Sequence, residues 1–408
     1  MIKRIIKVSG IFFLSVWIQS CASTKSINND VTDSGTTIHP VQNLEFASKQ
    51  IRYLIEQDPD SMLFPSSVRK NGQIRWVKAG DWTSGFFPGE LWMMYQYTHK
   101  KYWKVRAEKF TRQLSSQQYN THTHDVGFMI NSSYGNGYNL IHSAQYKKVV
   151  IQAAKSLATR FNSTVGAIKS WNNPRWKFPV IIDNMMNLQL LFHATQLSGD
   201  STFYHIAYRH ALTTMRTHIR PNGSSFHLVN FNPKTGKVIW KGTVQGYANN
   251  STWARGEAWA LYGFTSAYHY THDKRFLKVA EKVSHYILTN PNLPEDDVPY
   301  WDYNAPNIPN APRDASAAAI MSSAFLQLST YVNGPKHNQY LNAAKKILHS
   351  LSSNAFRAKN VGNNHGFILK RCVGNKPGHS EVTVPLIYAD YYYIEANLKY
   401  LALENKNQ

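Results

Sequence analysis

Residues 184–217 read NMMNLQLLFHATQLSGDSTFYHIAYRHALTTMRT and contain two helical segments separated by a short polar turn. In the first segment Leu188, Leu191 and Phe192 recur at the three- and four-residue spacing of one helix face. The turn Ser198-Gly199-Asp200 ends that segment and supplies an N-cap candidate for the next. The stretch therefore predicts a helical hairpin.

The same pattern extends in both directions, because segments with helical spacing alternate with polar connections that contain Gly or Pro. The predicted segments are 41–57, 89–98, 102–118, 147–161, 184–197, 202–217, 253–270, 275–289, 314–331, 338–353 and 384–403. Strand patterns are scarce, and short ones occur only around 224–230 and 237–243, with Thr235-Gly236 as a hairpin turn. The chain is therefore predicted to be all-α, with short β-hairpins in its loops.

Two architectures fit such a series of helices: a closed ring of helical hairpins, the α/α toroid, or an open solenoid of helical repeats. Open solenoids usually show a repeat period in their sequence, and none is visible here. The longest connections are instead rich in Trp, Gly, Asp and Asn, which is typical of active-site loops at one end of a barrel. This favours the closed ring.

The N-terminal 21 residues have the pattern of a bacterial lipoprotein signal peptide. Lys3, Arg4 and Lys7 precede a short apolar core at 11–18, which is too short for a permanent membrane span. Ile18-Gln19-Ser20-Cys21 resembles a lipoprotein box, so cleavage and lipidation of Cys21 are expected. The alternative is an ordinary signal peptide with a chance cysteine.

The rest of the chain is predicted to consist of a tether and one domain. Residues 22–40 are polar and predict a flexible tether, and 41–408 predict a single catalytic domain. The expected location is the outer membrane of a Gram-negative bacterium, attached to the membrane through Cys21 and facing the periplasm or the cell surface. Cys372 is then the single remaining cysteine, which excludes an internal disulfide framework and a cysteine-based metal cluster.

The chain is strongly basic, with 45 Lys and Arg against 24 Asp and Glu and a formal net charge of +21. Such a balance in an exported protein indicates anionic partners. Nucleic acid is not expected, because the charges are scattered and no nucleic-acid motif is present. The aromatic content of 13% suits carbohydrate, although most of these rings must belong to the core.

Two acidic residues in loop-like surroundings are candidates for chemistry. Asp183 follows the apolar residues 180–182 and begins a predicted helix, so it is either an N-cap or a desolvated general acid/base. Asp125 precedes Gly127 in a turn, which is common without any function. Pairs of carboxyls on separate loops also perform glycoside hydrolysis. The residues alone leave both interpretations open.

A third candidate region spans 243–260 and has an arginine flanked by two tryptophans at a helix start. Arg255 could bind a carboxylate there with two hydrogen bonds. Trp253 and Trp259 are six residues apart and so do not share one helix face. The alternative is a core tryptophan pair with a buried salt bridge from Arg255 to Glu257 or another acid.

Seven short elements taken together resemble glycoside hydrolase family 88, the unsaturated glucuronyl hydrolases, of which an ulvan-degrading type is one variant. In chain order they are WTSGFFPG at 82–89, HDVGF at 124–128, IDNMMN at 182–187, STWARGEAW at 251–259, PYWDY at 299–303, DASAAA at 314–319 and DYYYIEA at 390–396. Each is weak alone, but their order along nearly the whole chain is specific.

The resemblance implies an (α/α)6 toroid, that is, a six-hairpin barrel, and the residues of a sugar site. Asp183 would be the general acid/base and Asp125 the second essential carboxylate. The substrate-binding residues would be His227, Thr243, Gln245, Arg255, Trp259 and Trp253, with Ser380 in a late loop as a further donor to the sugar carboxylate. No cofactor and no metal are expected, and His122 and His124 are interpreted as incidental to metal binding.

The implied reaction is removal of the non-reducing-end 4,5-unsaturated glucuronic acid from lyase-generated oligosaccharides of the ulvan or glycosaminoglycan type, by hydration of the C4=C5 vinyl ether. Two alternatives remain open from the residues. One is a lipoprotein that captures glycans without catalysis. The other is a polysaccharide lyase on the same toroid, since lyases use Tyr or His as a base and this chain has many of both.

Overall fold

Two kinds of helix alternate along the chain, and their burial shows how they are arranged. The structure is a computed structural model that describes residues 37–58 and 62–406. The predicted signal peptide, Cys21 and nearly all of the predicted tether lie outside these residues. The described residues belong to one compact unit, and none of their helices is long and apolar enough to cross a membrane.

Six helical segments are apolar around most of their circumference, as expected for helices with neighbours on all sides. For example, every residue from Ala254 to Ala267 is buried. These inner segments are α2 (Phe86–Thr98), a π-helix (Gly127–Gly135) that continues as α4 (Asn136–Ile141), α6 (Asn184–Ser198), α8 (Ala254–Thr271), α10 (Ala315–Ser329) and α12 (Ile387–Glu404).

The other six helices are amphipathic and bury one stripe each against the inner segments. They are α1 (Pro40–Glu56), α3 (Lys101–Arg112), α5 (Ala144–Ala158), α7 (Ser201–Thr217), α9 (Lys274–Leu288) and α11 (Pro335–Ser352). Short 3-10 helices cover Ser115–Tyr119 and Asn363–Gly366. The hairpin predicted at 184–217 is α6 and α7, and Asp200 caps α7 by accepting from the Thr202 N–H at 2.8 Å.

The inner segments form a closed ring. Each packs against the next in chain order, and α12 returns to pack against α2. This closure confirms the (α/α)6 toroid and excludes the open solenoid. The inner segment 127–141 is the one helical segment of the ring that the sequence did not predict.

Four small antiparallel sheets precede the N-terminal ends of inner helices. They are β1 (Phe64–Val68) with β2 (Ile74–Val77), β3 (Phe161–Asn162) with β4 (Ala167–Ile168), β5 (Pro179–Ile181) with β6 (Leu228–Phe231) and β7 (Val238–Gly242), and β8 (Cys372–Asn375) with β9 (Ser380–Val384). The strands predicted near 224–230 and 237–243 are confirmed as β6 and β7, with Gly236 at φ +69° in the turn between them.

Candidate active site

The N-terminal ends of the inner helices converge on one cavity of about 240 Å³. Because successive inner helices run the same way, the loop that precedes each one reaches the same end of the ring. The cavity is lined by Trp82, His124, Asp125, Trp171, Ile181, Asp183, His227, Val244, Gln245, Arg255 and Asn375. Helix N-termini carry partial positive charge, so this end of the ring favours an anionic ligand.

Asp183 occupies the N-cap position of α6, but its carboxyl does not cap the helix. The side chain accepts no hydrogen bond from the first turn, and it is 14% exposed in the cavity. Val180, Ile181 and Ile182, which precede it, are all buried. The carboxyl is therefore not used as a helix cap, which argues against the first of the two interpretations that the sequence left open.

The surroundings of Asp183 favour its protonated form at neutral pH. The pKa of Asp183 is raised to about 7, mainly by burial and to a lesser extent by the negative charge of Asp125. The positive charge of Arg255 acts in the opposite direction. The Trp259 indole N–H also lies close enough to oppose the rise, although it forms no aligned hydrogen bond with the carboxyl. A carboxyl with a pKa near neutrality can both donate and accept a proton in one catalytic cycle.

His227 faces Asp183 as a neutral hydrogen-bond donor. Its Nδ1 accepts from the backbone N–H groups of Val244 at 3.1 Å and Gln245 at 3.2 Å. Since these groups can only donate, the ring hydrogen must be on Nε2. Burial lowers the pKa of His227 to about 3, so the ring stays neutral. Its Nε2 lies 3.7 Å from Asp183 Oδ2, which is too long for a direct bond and leaves the donor for substrate.

Asp125 lies in the same cavity, and its side chain is 16% exposed. Oδ2 accepts from the Thr123 hydroxyl at 2.7 Å, and Oδ1 lies 3.2 Å from His124 Nε2. The structure thus brings together the two carboxyls, Asp125 and Asp183, that occur 58 residues apart in the sequence.

Arg255 lines the cavity, but most of its donors are already used. Its two Nη atoms donate to the carbonyls of Val373 and Gly374 in β8, and Nη1 lies 3.5 Å from the Asp314 carboxylate. The buried salt bridge that the sequence left open is therefore made with Asp314. Glu257 instead accepts from the backbone and hydroxyl of Ser225. Only Nε of Arg255 has no partner.

The remaining predicted binding residues take different places. Gln245 lines the cavity, and Thr243 supports it from outside, with Oγ1 3.3 Å from His227 Nδ1. Trp259 is fully buried, so its ring has no face open to a sugar. Trp253 is also buried, with its ring centroid 4.6 Å from that of His227.

Ser380 lies outside this cavity. It belongs to a neighbouring groove of about 540 Å³ between the β1–β2 and β8–β9 hairpins, here called the basic groove. The groove is lined by Ser67, Val68, Arg69, Lys70, Arg75, Lys376, His379, Ser380, Glu381, Val382 and Val384. Asn375 of the cavity and Lys376 of the groove are consecutive residues, so the β8–β9 turn borders both.

Trp171 and Asn375 also line the cavity, and neither was predicted from the sequence. Trp171 lies in the Trp- and Asn-rich connection before β5, so its composition was the available signal. Asn375 at the end of β8 had none. Trp82 was noted only as part of a motif. Its ring packs on Phe128 at 5.5 Å and on Tyr388 at 4.9 Å, which places an aromatic layer beneath the cavity and helps to exclude water.

A closed toroid with two carboxyls, a fixed neutral histidine and tryptophans around one cavity fits an enzyme that acts on carbohydrate. The family is more particular. The model of Glycosyl Hydrolase Family 88 matches residues 60–402, and the chain belongs to this family.

The chain is similar to known proteins over most of its length. An unsaturated glucuronyl hydrolase of Formosa agariphila is 43% identical over 96% of both chains, and one from a Bacillus species (strain GL1) is 32% identical over 78% of this chain and 86% of its own. A solved unsaturated glucuronyl hydrolase specific for heparin is 41% identical, with a TM-score of 0.87 over 90% of this chain and 98% of its own.

Proposed function

We propose that this glycoside hydrolase removes the non-reducing-end 4,5-unsaturated glucuronic acid from oligosaccharides released by polysaccharide lyases. The observation that carries the proposal is the carboxyl of Asp183, which caps no helix and has a pKa of about 7. It lies in a cavity of the size of one sugar ring. The name of the relatives, unsaturated glucuronyl hydrolase, supports the substrate class.

The first chemical step is proton transfer to carbon. The C4=C5 double bond is conjugated with the ring oxygen as a vinyl ether, so protonation at C4 by Asp183 leaves positive charge shared by C5 and the ring oxygen. Burial keeps Asp183 protonated for this step. Positioned acid–base catalysis of this kind contributes typically about 10²–10⁴-fold in rate.

Water then adds to C5 and gives its proton to the Asp183 carboxylate, which restores the starting acid. The hemiketal at C5 opens to a ketone, and the former ring oxygen becomes a hydroxyl on C1. C1 then carries both this hydroxyl and the leaving sugar, so it collapses to an aldehyde and releases the aglycone. Asp125 and the Nε2–H of His227 hold the ring hydroxyls, and no covalent enzyme intermediate is needed.

The two rival functions receive less support. A polysaccharide lyase needs a base, but no tyrosine lines the described cavity. His227 has its acceptor nitrogen occupied by two backbone N–H groups, and the Nε2 of His124 faces the Asp125 carboxyl at 3.2 Å. A protein that only captures glycans does not need a carboxyl whose pKa is about 7. The test of the proposal is loss of ultraviolet absorbance from the conjugated double bond together with release of the aglycone.

We further propose that the aglycone is anionic, as in sulfated ulvan or glycosaminoglycan fragments. The basic groove supports this, because Arg69, Lys70 and Lys376 line it beside the turn that also borders the active cavity. Relatives include hydrolases named for heparin and for chondroitin disaccharides. Charges on an open surface of this kind attract an anion most strongly at low salt, where screening by ions is weak.

Sulfated disaccharides should therefore react with a lower KM than their desulfated forms at low ionic strength. We expect a difference of about 10-fold, equivalent to about 1.4 kcal/mol, which shrinks as salt is added. Lys376→Ala should remove part of the difference, whereas Lys148→Ala on outer helix α5 should leave it intact. Equal KM values for sulfated and desulfated substrates at low salt contradict the anionic aglycone.

We propose also that the protein is exported and anchored in the outer membrane through a lipid on Cys21. The support is the sequence pattern of residues 1–21. The protein should partition with membranes after cell lysis, and Cys21→Ser should move it to the soluble fraction. Retention of the Cys21→Ser variant in the membrane fraction would exclude this anchor.

A further inference from the structure

The orientation of the His124 ring is fixed by a backbone carbonyl. Its Nδ1 lies 3.0 Å from the Ser170 carbonyl oxygen, and the side chain is only 1% exposed. A carbonyl can only accept, so Nδ1 must carry a hydrogen. In the neutral ring, Nε2 is then a bare acceptor.

That acceptor faces a carboxyl. Nε2 lies 3.2 Å from Asp125 Oδ1 without an aligned hydrogen bond, and it is a buried nitrogen with no hydrogen-bond partner among the described residues. A bare nitrogen beside a bare carboxylate oxygen is repulsive, and the contact becomes attractive only when one proton lies between them. The other carboxyl oxygen, Oδ2, is already held by Thr123, so His124 and Thr123 together fix the plane of Asp125.

We propose that His124 is a positioning residue for the reaction, which holds the Asp125 carboxyl in the substrate cavity through a single proton shared between Nε2 and Oδ1. The inference rests on the proposed function of the cavity. It gives a role to a histidine that the sequence analysis interpreted only as incidental to metal binding.

Several titratable side chains surround this pair. Arg160, which follows α5, faces both residues and donates to the carbonyls of Lys169 and Thr121. His210 of α7 and His227 face His124, while Asp183 at the start of α6 faces Asp125. Burial lowers the pKa of His124, with Asp125 acting to raise it and Arg160 to lower it. Burial thus favours the shared arrangement over a free imidazolium.

Two substitutions separate the two ring contacts. Asn can place its amide nitrogen near the position of Nδ1 and keep the bond to Ser170, but it leaves Asp125 Oδ1 without a partner. Gln can reach the position of Nε2 and donate to Asp125 Oδ1, but it loses Ser170. The variants His124→Asn and His124→Gln are compared with the wild type by kcat, KM, the pH dependence of kcat/KM and the thermal unfolding midpoint.

We expect His124→Asn to lower kcat by about 10-fold or more, because a misplaced catalytic group is costly even at 1 Å. His124→Gln should keep most of kcat, because its amide can still donate to Asp125 Oδ1. The stabilities should rank the other way, since only the Asn variant keeps the Ser170 bond.

If His124 had only a structural role, the activities of the two variants would follow their stabilities. The inference is therefore overturned if His124→Gln is as impaired as His124→Asn, or if neither variant loses activity. Wild-type turnover of an unsaturated disaccharide is measured first. An inactive wild type would count against the proposed function itself, whereas an active wild type leaves the comparison of variants as a test of His124 alone.

Discussion

Asp183→Asn is expected to lower kcat by about 10³- to 10⁴-fold, at the upper end of acid–base effects, because one carboxyl both donates to C4 and accepts from water. Asn has nearly the same shape but can do neither. KM should change little, since the amide can still occupy the space beside His227. The rate is measured from the absorbance of the conjugated double bond.

The stability of the Asp183→Asn variant serves as a control. A carboxyl whose pKa is higher in the folded protein than in the unfolded chain makes folding less favourable as pH rises through the folded value. Removing it should therefore leave the unfolding midpoint unchanged or higher at pH 8. Loss of a helix cap does not complicate this comparison, because Asn caps a helix about as well as Asp and Asp183 makes no cap bond.

Asp200→Asn is the matched control for activity. Asp200 is the N-cap of outer helix α7 and accepts a hydrogen bond from its first turn, but it does not line the cavity. This variant should keep wild-type kcat. If Asp183→Asn retains more than about a tenth of wild-type kcat, Asp183 is not the general acid/base and the mechanism above is wrong.

The value of kcat/KM is expected to fall as pH rises through about 7, by about tenfold for each further pH unit. The free enzyme must hold a proton on Asp183 before it can protonate C4, and burial raises the pKa of that carboxyl to about 7. Below this pH the acid form predominates, and above it the form that cannot begin the reaction predominates.

Other groups near the reacting atoms should not produce this alkaline decline. Burial and neighbouring positive charge lower the pKa of His227 to about 3, so His227 is neutral on both sides of pH 7. The sugar carboxylate is ionised throughout. A kcat/KM that stays constant from pH 6 to pH 9 would show that Asp183 is not the acid that limits the rate.

The sequence predicted the helices well where periodicity was clear, but it missed the inner segment 127–141. Its glycines look like loop residues, yet Gly137 lies where the rings of Trp92 and Tyr146 leave no room, since a Cβ there would come within 2.7 Å of each. Likewise, a Cβ on Gly127 would lie 2.5 Å from Asn187 Oδ1. Close packing between distant residues requires these glycines, and local pattern cannot show it.

The candidate site was predicted only in part, because it too depends on contacts between residues that are distant in the sequence. The resemblance to glycoside hydrolase family 88 pointed to Asp125, Asp183, His227 and Gln245, and the fold gathers them in one cavity. The sequence could not show that the Asp183 carboxyl leaves α6 uncapped. It also could not show that Arg255 donates to carbonyls more than 100 residues away. These facts depend on which backbone groups the folded ring brings near each side chain.

The most direct test is ultraviolet absorbance of the conjugated double bond while the purified wild-type protein acts on lyase-generated disaccharides from ulvan, chondroitin and heparin. The account predicts that absorbance falls on at least one of them, with equal release of the partner sugar. Binding of these disaccharides without any fall in absorbance would contradict the hydrolase and favour glycan capture, and a rise in absorbance on the intact polysaccharide would favour a lyase.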